Sequence, residues 1–302
     1  MVTDEAERLI KRAIPKLNAA AAAYLIDLAK AVDLVTGQLV LTGYGKVART
    51  IGGTSDAVDL NVPEKPFYLA IFLDCDALVL AQVAAACRRL KRFTIADLAK
   101  DGAIEAAFRN ALAVFIERAS LIQERVALKR QLADLPASYK GRTHEHKLDI
   151  RIKLLEQVGM LDRRGNYYEA NSSIDALAEM ATDLPLLAKE MSQSSGMDLA
   201  VNLLRKPGMR DVAPEEITVG LVAAAFAQIE GRNGRLTAIS AAEFLIASRF
   251  FEAGSILASS VFDQALNRIS KGDKPPLRLH LDRNGKRTLF SMDKATLVQH
   301  SG

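Results

Sequence analysis

The stretch "KLLEQVGMLDRRGNYYEAN", residues 153–171, decides how this chain is read. An apolar-striped helix runs to Gly159, and a short apolar step follows. Arg163, Arg164, Gly165 and Asn166 come next, then Tyr167 and Tyr168. Alternation on both sides of a Gly-Asn pair predicts a short β-hairpin. A helix leading into such a hairpin has two readings. It is the last helix and wing of a DNA-binding unit, with two arginines at the tip, or it is an ordinary helix–hairpin in a helical protein.

The surrounding pattern extends the first reading. Upstream, "DALVLAQVAAACRRLKRF" is a helix with Asp76 as its N-cap. "FTIADLAKDGAIEAAFRNALAVFI" then gives a short helix capped by Thr94, a turn at Asp101-Gly102 and a longer helix, the spacing of a helix-turn-helix. Another helix through "LIQERVALKRQL" stops at Pro136, and one from Thr143 to Val158 enters the hairpin.

Near the C-terminus the order recurs. "PEEITVGLVAAAFAQIEGRNG" is a helix with Pro214 at its start. "LTAISAAEFLIAS" is an extended step and a helix capped by Ser240. "SSVFDQALNRISKG" is a helix ending at Gly272. "PLRLHLDRNGKRTLF" then gives two strands joined by Asn284-Gly285, a strong hairpin signal. Elsewhere, residues 3–36 read as helix broken at Pro15 and ended by Gly37. "QLVLTGYGKVARTIGGTSDAVDLNVPEKP" is the least regular part, residues 172–206 are helix with breaks, and "RKPGMRDVAP" is a linker. No fixed-period repeat is present, which argues against a solenoid.

Helix, short strand, helix, helix, hairpin resembles the order of winged helix-turn-helix proteins as a broad class. The resemblance covers about half of the chain and rests on pattern, not on an invariant motif. It implies a mainly α protein of winged-helix units, three-helix cores with short β-hairpins, joined by helical segments. The expected divisions are an N-terminal helical segment at 1–66, a helix-turn-helix or winged-helix unit at 67–172, a connector at 173–211 and a C-terminal winged-helix unit at 212–302.

That resemblance implies double-stranded DNA as a partner. Phosphate contacts are expected from Arg163 and Arg164 in the first wing, and from Arg278, Arg283, Lys286 and Arg287 in the second. Arg268 and Lys271, ending the candidate third helix, join them. Base contacts would fall to Ser259, Ser260, Gln264 and Asn267 if that helix enters a groove. Lys140, Arg142, Lys147, Arg151 and Lys153 also cluster near the first wing, and Lys274 near the second. The expected role is a non-catalytic DNA-binding regulator, or a subunit of a prokaryotic DNA-processing or defence assembly. Winged helices also bind proteins, so a scaffolding subunit with a protein partner or a second copy is the alternative.

Bulk properties set the outer limits. The chain has 302 residues, 49% apolar and 25% charged, so a folded protein with real cores is expected. Abundant alanine, no Trp and only 6% aromatics favour closely packed helices. The net charge of +4 permits nucleic acid without demanding it. Two cysteines point to a reducing cytoplasm. The opening "MVTDEAERLIKR" lacks a signal-type apolar run, and no uninterrupted apolar run reaches the ~18 residues of a membrane span.

Other chemistry finds thinner support. "LTGYGKVART" fails the phosphate-loop spacing at both ends and reads as a glycine-rich turn before a short helix, with Lys46 and Arg49 as possible phosphate contacts. "FYLAIFLDCDALV" slightly resembles the first motif of haloacid-dehalogenase-type phosphatases over about ten residues. A Mg²⁺-dependent phosphohydrolase using Asp74 and Asp76 is therefore a second alternative. Helix capping at Asp76, or one helix through both carboxylates, accounts for the same residues. His144 and His146 are wrongly spaced for one helix face, and no cofactor or metal is expected.

Overall fold

The computed structural model describes residues 26–52, 59–135, 143–193, 195–230, 236–281 and 287–300. It is mainly helical with a few short strands. Its residues fall into two compact units, one of 68–205 and one formed by the described residues of 1–67 and 206–302. Pro15, Arg142, Arg283, Asn284, Gly285 and Lys286 lie outside the described residues.

The helix that begins the described chain stops at residue 31, ahead of the end expected at Gly37. Asp33 takes a left-handed φ of 53°, and Val35 bridges Leu41, so the chain doubles back. A helix follows at once, α1 (Gly43–Gly52), with Gly43 and Gly45 inside it and not in a preceding turn. A Cβ on Gly45 would sit 2.0 Å from the Leu34 carbonyl oxygen, and one on Gly43 would sit 3.0 Å from the Ala241 Cβ. These glycines buy close backbone approach; a phosphate cradle is not needed to explain them. Lys46, offered by the sequence to phosphate, instead pairs with Glu230 at 3.1 Å.

The next helix, α2 (Glu64–Leu90), is 27 residues long and starts well before Asp76. Asp76 is not its N-cap. It sits at an internal kink with φ −145° and ψ 16°. By length and composition α2 could cross a membrane, yet 67% of its most apolar window is buried inside the protein, the pattern of a core helix.

In the 68–205 unit, α2 leads to β1 (Arg92–Phe93) and α3 (Ile95–Lys100). Thr94 caps α3 as expected, and Asp97 completes a reciprocal capping box with it. Gly102, at φ 69°, turns the chain into α4 (Ala103–Arg118), followed by α5 (Ile122–Asp134) and α6 (Thr143–Gln157). The hairpin β2 (Leu161–Arg164) and β3 (Tyr167–Ala170) follows, turning at Gly165 with φ 63°. The sheet order is β1-β3-β2, all antiparallel, and Phe93 stacks on Tyr168 at 6.0 Å. The helix that packs on both α3 and β2 is α6, not α4. The α4–α5 pair therefore lies between α3 and α6 in the chain, whereas the sequence placed a helix-turn-helix at α3–α4. Short helices α7 (Asp175–Glu179), α8 (Leu184–Gln193) and α9 (Gly196–Leu203) complete the unit, which takes in most of the stretch expected as a connector.

In the other unit, the expected linker holds a strand. β4 (Arg210–Asp211) pairs in parallel with β6 (Ser255–Ile256). Pro214 starts a single 3₁₀ turn, clamped by Arg210 on Glu216 at 2.6 and 2.7 Å, before α10 (Val219–Glu230). Then come β5 (Thr237–Ala238), α11 (Ile239–Glu252), β6, α12 (Ser259–Ile269), β7 (Leu277–Leu281), β8 (Arg287–Met292) and α13 (Lys294–His300). Ala238 occupies the N-cap of α11, and Ser240 lies inside the helix. The sheet order is β5-β8-β7, the same relation as in the first unit. Phe226, Phe244, Phe262 and Phe290 are fully buried, and Phe226 meets Phe290 edge-on at 5.5 Å.

Replacing Gly45 by alanine forces a methyl into a backbone carbonyl, which costs about 2–3 kcal/mol. Urea unfolding of Gly45→Ala is expected to show this loss, while Gly37→Ala, with nothing within 4 Å of its added Cβ, stays near wild type.

Candidate functional site

The first hairpin presents Arg163 and Arg164 on β2, and both are exposed. Neither is idle. Arg164 Nε lies 3.0 Å from Glu169 Oε2, and Arg92 Nε lies 3.8 Å from the other oxygen of the same carboxylate. Arg163 hangs 6.0 Å from the Tyr168 ring and donates to the Gly165 carbonyl at 3.3 Å. Lys153 pairs with Asp149 one helical turn earlier at 2.8 Å. The exposure of these pairs makes each weak and open to exchange, but the local positive field is partly cancelled.

Two further members of that basic cluster turn inward. Arg151 gives both its Nε and a terminal nitrogen to Asp76 Oδ2 at 2.7 Å, and its side chain is only 13% exposed. Its guanidinium lies 5.2 Å from the Phe108 ring centroid, and the Lys147 ammonium lies 5.5 Å from the same ring. Burial pushes the Asp76 carboxyl up, and the Arg151 charge pulls it back down. Burial and the neighbouring Arg151 both lower the Lys147 ammonium from its usual range. This pair joins residues 75 apart in sequence, and no local spacing signals it.

The second hairpin differs. Arg268, at the end of α12, donates to the Ile217 carbonyl at 2.8 Å. Arg287, on β8, donates to Asn267 Oδ1 on α12 at 2.6 Å, tying hairpin to helix. Lys271, Lys274 and Arg278 are exposed around the same turn and strand. Among the described residues, Arg268, Lys271, Arg278 and Arg287 pair with no carboxylate. Of the polar residues expected to read bases, Ser259 donates to the buried Glu243 and Asn267 is engaged by Arg287, whereas Ser260 and Gln264 are exposed.

Asp74 and Asp76 line one pocket but are differently used. Asp76 is held by Arg151. Asp74 Oδ1 accepts the Gly196 N–H at 2.8 Å, and burial pushes its carboxyl up to about 6 while that N–H bond holds it down. Among the described residues, no three His, Cys, Asp or Glu side chains gather as a metal site.

No protein-family model matches the chain, and no curated protein or solved structure matches it significantly.

Asp76→Ala removes the partner of a largely buried guanidinium, at a cost of about 3 kcal/mol. In a double-mutant cycle, Asp76→Leu with Arg151→Met recovers most of that loss. Additive losses in thermal unfolding would show that the two side chains act separately.

Proposed function

We propose that the chain is a non-catalytic protein built on two winged-helix units, and that it binds double-stranded DNA mainly through the C-terminal one. Both units run from a helix through a short strand and further helices, four in 68–205 and two in the other, to a hairpin, and in both the short strand pairs with the hairpin's second strand, which supports this. The observation that carries the DNA reading is the contrast between the two hairpins. Among the described residues, Arg92, Arg151, Lys153 and Arg164 at the first are matched with carboxylates, Arg163 being the exception, whereas Arg268, Lys271, Arg278 and Arg287 around α12 and the β7–β8 hairpin are not. Unmatched cations on adjacent elements are what phosphate neutralisation requires. The Arg287–Asn267 bond keeps hairpin and helix aligned. Ser260 and Gln264 would then face base edges, while phosphate contacts supply affinity without choosing sequence.

A random-sequence duplex, titrated at about 50 and 200 mM salt, tests this. Wild type is expected to bind at low salt and to lose affinity steeply. Lys271→Ala with Arg278→Ala should flatten the logarithmic salt slope by about 2. Arg163→Ala with Arg164→Ala should alter it far less. Absence of binding at the lower salt defeats the reading.

The alternative, an interaction subunit, draws on one specific feature. Helix α5 buries none of its residues, and Leu121, Ile122 and Val126 at its start are 66%, 81% and 43% exposed. Exposed apolar side chains grouped in this way mark protein contacts. Ile122→Glu is expected to lower any self-association seen by light scattering, or to release a co-purifying protein, without affecting duplex binding.

A further inference from the structure

Within the 68–205 unit, residues of α2, α4, α5, α6 and α8 line an open pocket of about 720 Å³. Its walls are chiefly apolar, among them Leu73, Leu112, Phe115, Leu135 and Met191, with Asp74 set into the α2 side. That size suits a drug-sized molecule or a medium-length acyl chain, and a few polar groups in an apolar wall are the usual makeup of a small-ligand site.

The polar groups on the wall are unequally satisfied. Asp76 is neutralised by Arg151 at 2.7 Å, and the Lys147 ammonium rests over the Phe108 ring. Arg118 and Asp134, one of each sign, line the part formed by α4 and α5. Among the described residues, Asp74 has no cation of its own. Its one hydrogen bond among the described residues is the backbone N–H of Gly196 on Oδ1. Asp74 is exposed on the open side of the pocket, and a carboxylate can accept several such bonds, so it has acceptor capacity to offer a ligand's donors.

We propose that this cavity binds a small amphipathic amine, with the ammonium against Asp74 and the apolar body along Leu112, Phe115 and Met191. An ammonium supplies the charge and donors that Asp74 lacks, and the apolar tail gains from the surface it leaves in water. The fit depends only on the 68–205 unit, so it stands or falls separately from DNA binding.

The chain has no tryptophan, so Leu112→Trp places a single reporter in the wall. Titration of that variant at neutral pH with n-octylamine, 1-octanol and octanoate compares three head groups on one tail. Octylamine is expected to shift the emission at concentrations at least tenfold lower than the other two. In the Asp74→Asn background the preference should fall below twofold, since asparagine keeps the oxygen facing Gly196 but not the charge. Thermal shifts of the chain with native Leu112 and the same three compounds provide a readout that does not depend on the reporter. Equal response to all three compounds, preference for octanoate, or an amine preference that survives Asp74→Asn would each overturn the proposal.

Discussion

Two residues of extended chain tie each hairpin into a three-stranded sheet. Thr237 and Ala238 pair with Phe290 and Leu289, and Arg92 and Phe93 pair with Glu169 and Tyr168. Strands this short have no stability of their own. They form because the helices on either side are anchored, and because the aromatic rings beneath them, Phe290 and Phe93, are fully buried. Each pairing brings a hairpin back to a short strand earlier in its unit, β5 after α10 and β1 after α2. Without it the hairpin would have no fixed place relative to the helix before it, and the Arg287–Asn267 bond would have no alignment to maintain.

Charge in this protein is distributed by packing more than by number. The two hairpins have similar basic counts nearby, yet they end in different electrostatic states. In the 68–205 unit, Arg151 and Lys147 project from α6 toward Phe108 and the kink of α2, while Arg164, Arg92 and Lys153 meet carboxylates at the surface. In the C-terminal part of the other unit, the cations meet carbonyl and amide oxygens instead, which orient them without cancelling their charge. The α2 kink gives Asp76 a non-helical backbone and Arg151 for a partner, leaving Asp74 beside it in the wall of the cavity.

Much of the architecture is legible in residues 153–171 and in the matching stretch before residue 293. Capping at Thr94, the Gly102 turn and the Gly165 turn all depend on bonds or dihedrals within a few residues, so local sequence specifies them. The same locality makes the helix from Thr143 and the two strands before Asn171 readable in advance. Errors fall where distant segments intervene. Asp76 looked like a helix cap because the side chain it meets is on α6. Gly43 and Gly45 looked like a turn because Ala241 and the Leu34 carbonyl, which forbid a side chain there, are not their neighbours in sequence. The linker at Arg210–Asp211 becomes a strand only when Ser255–Ile256 lies beside it.

By itself, then, the sequence determined the helical character, the places where helices turn, and the hairpins, because backbone preference and apolar periodicity act over a few residues. Only the tertiary structure decided which arginines meet carboxylates and which meet carbonyl or amide oxygens, which helix packs against the first hairpin, and that Asp74 and Asp76 line one pocket with unequal partners. Those outcomes are set by burial and by charge pairing between residues far apart in the chain, and no local pattern encodes such pairings.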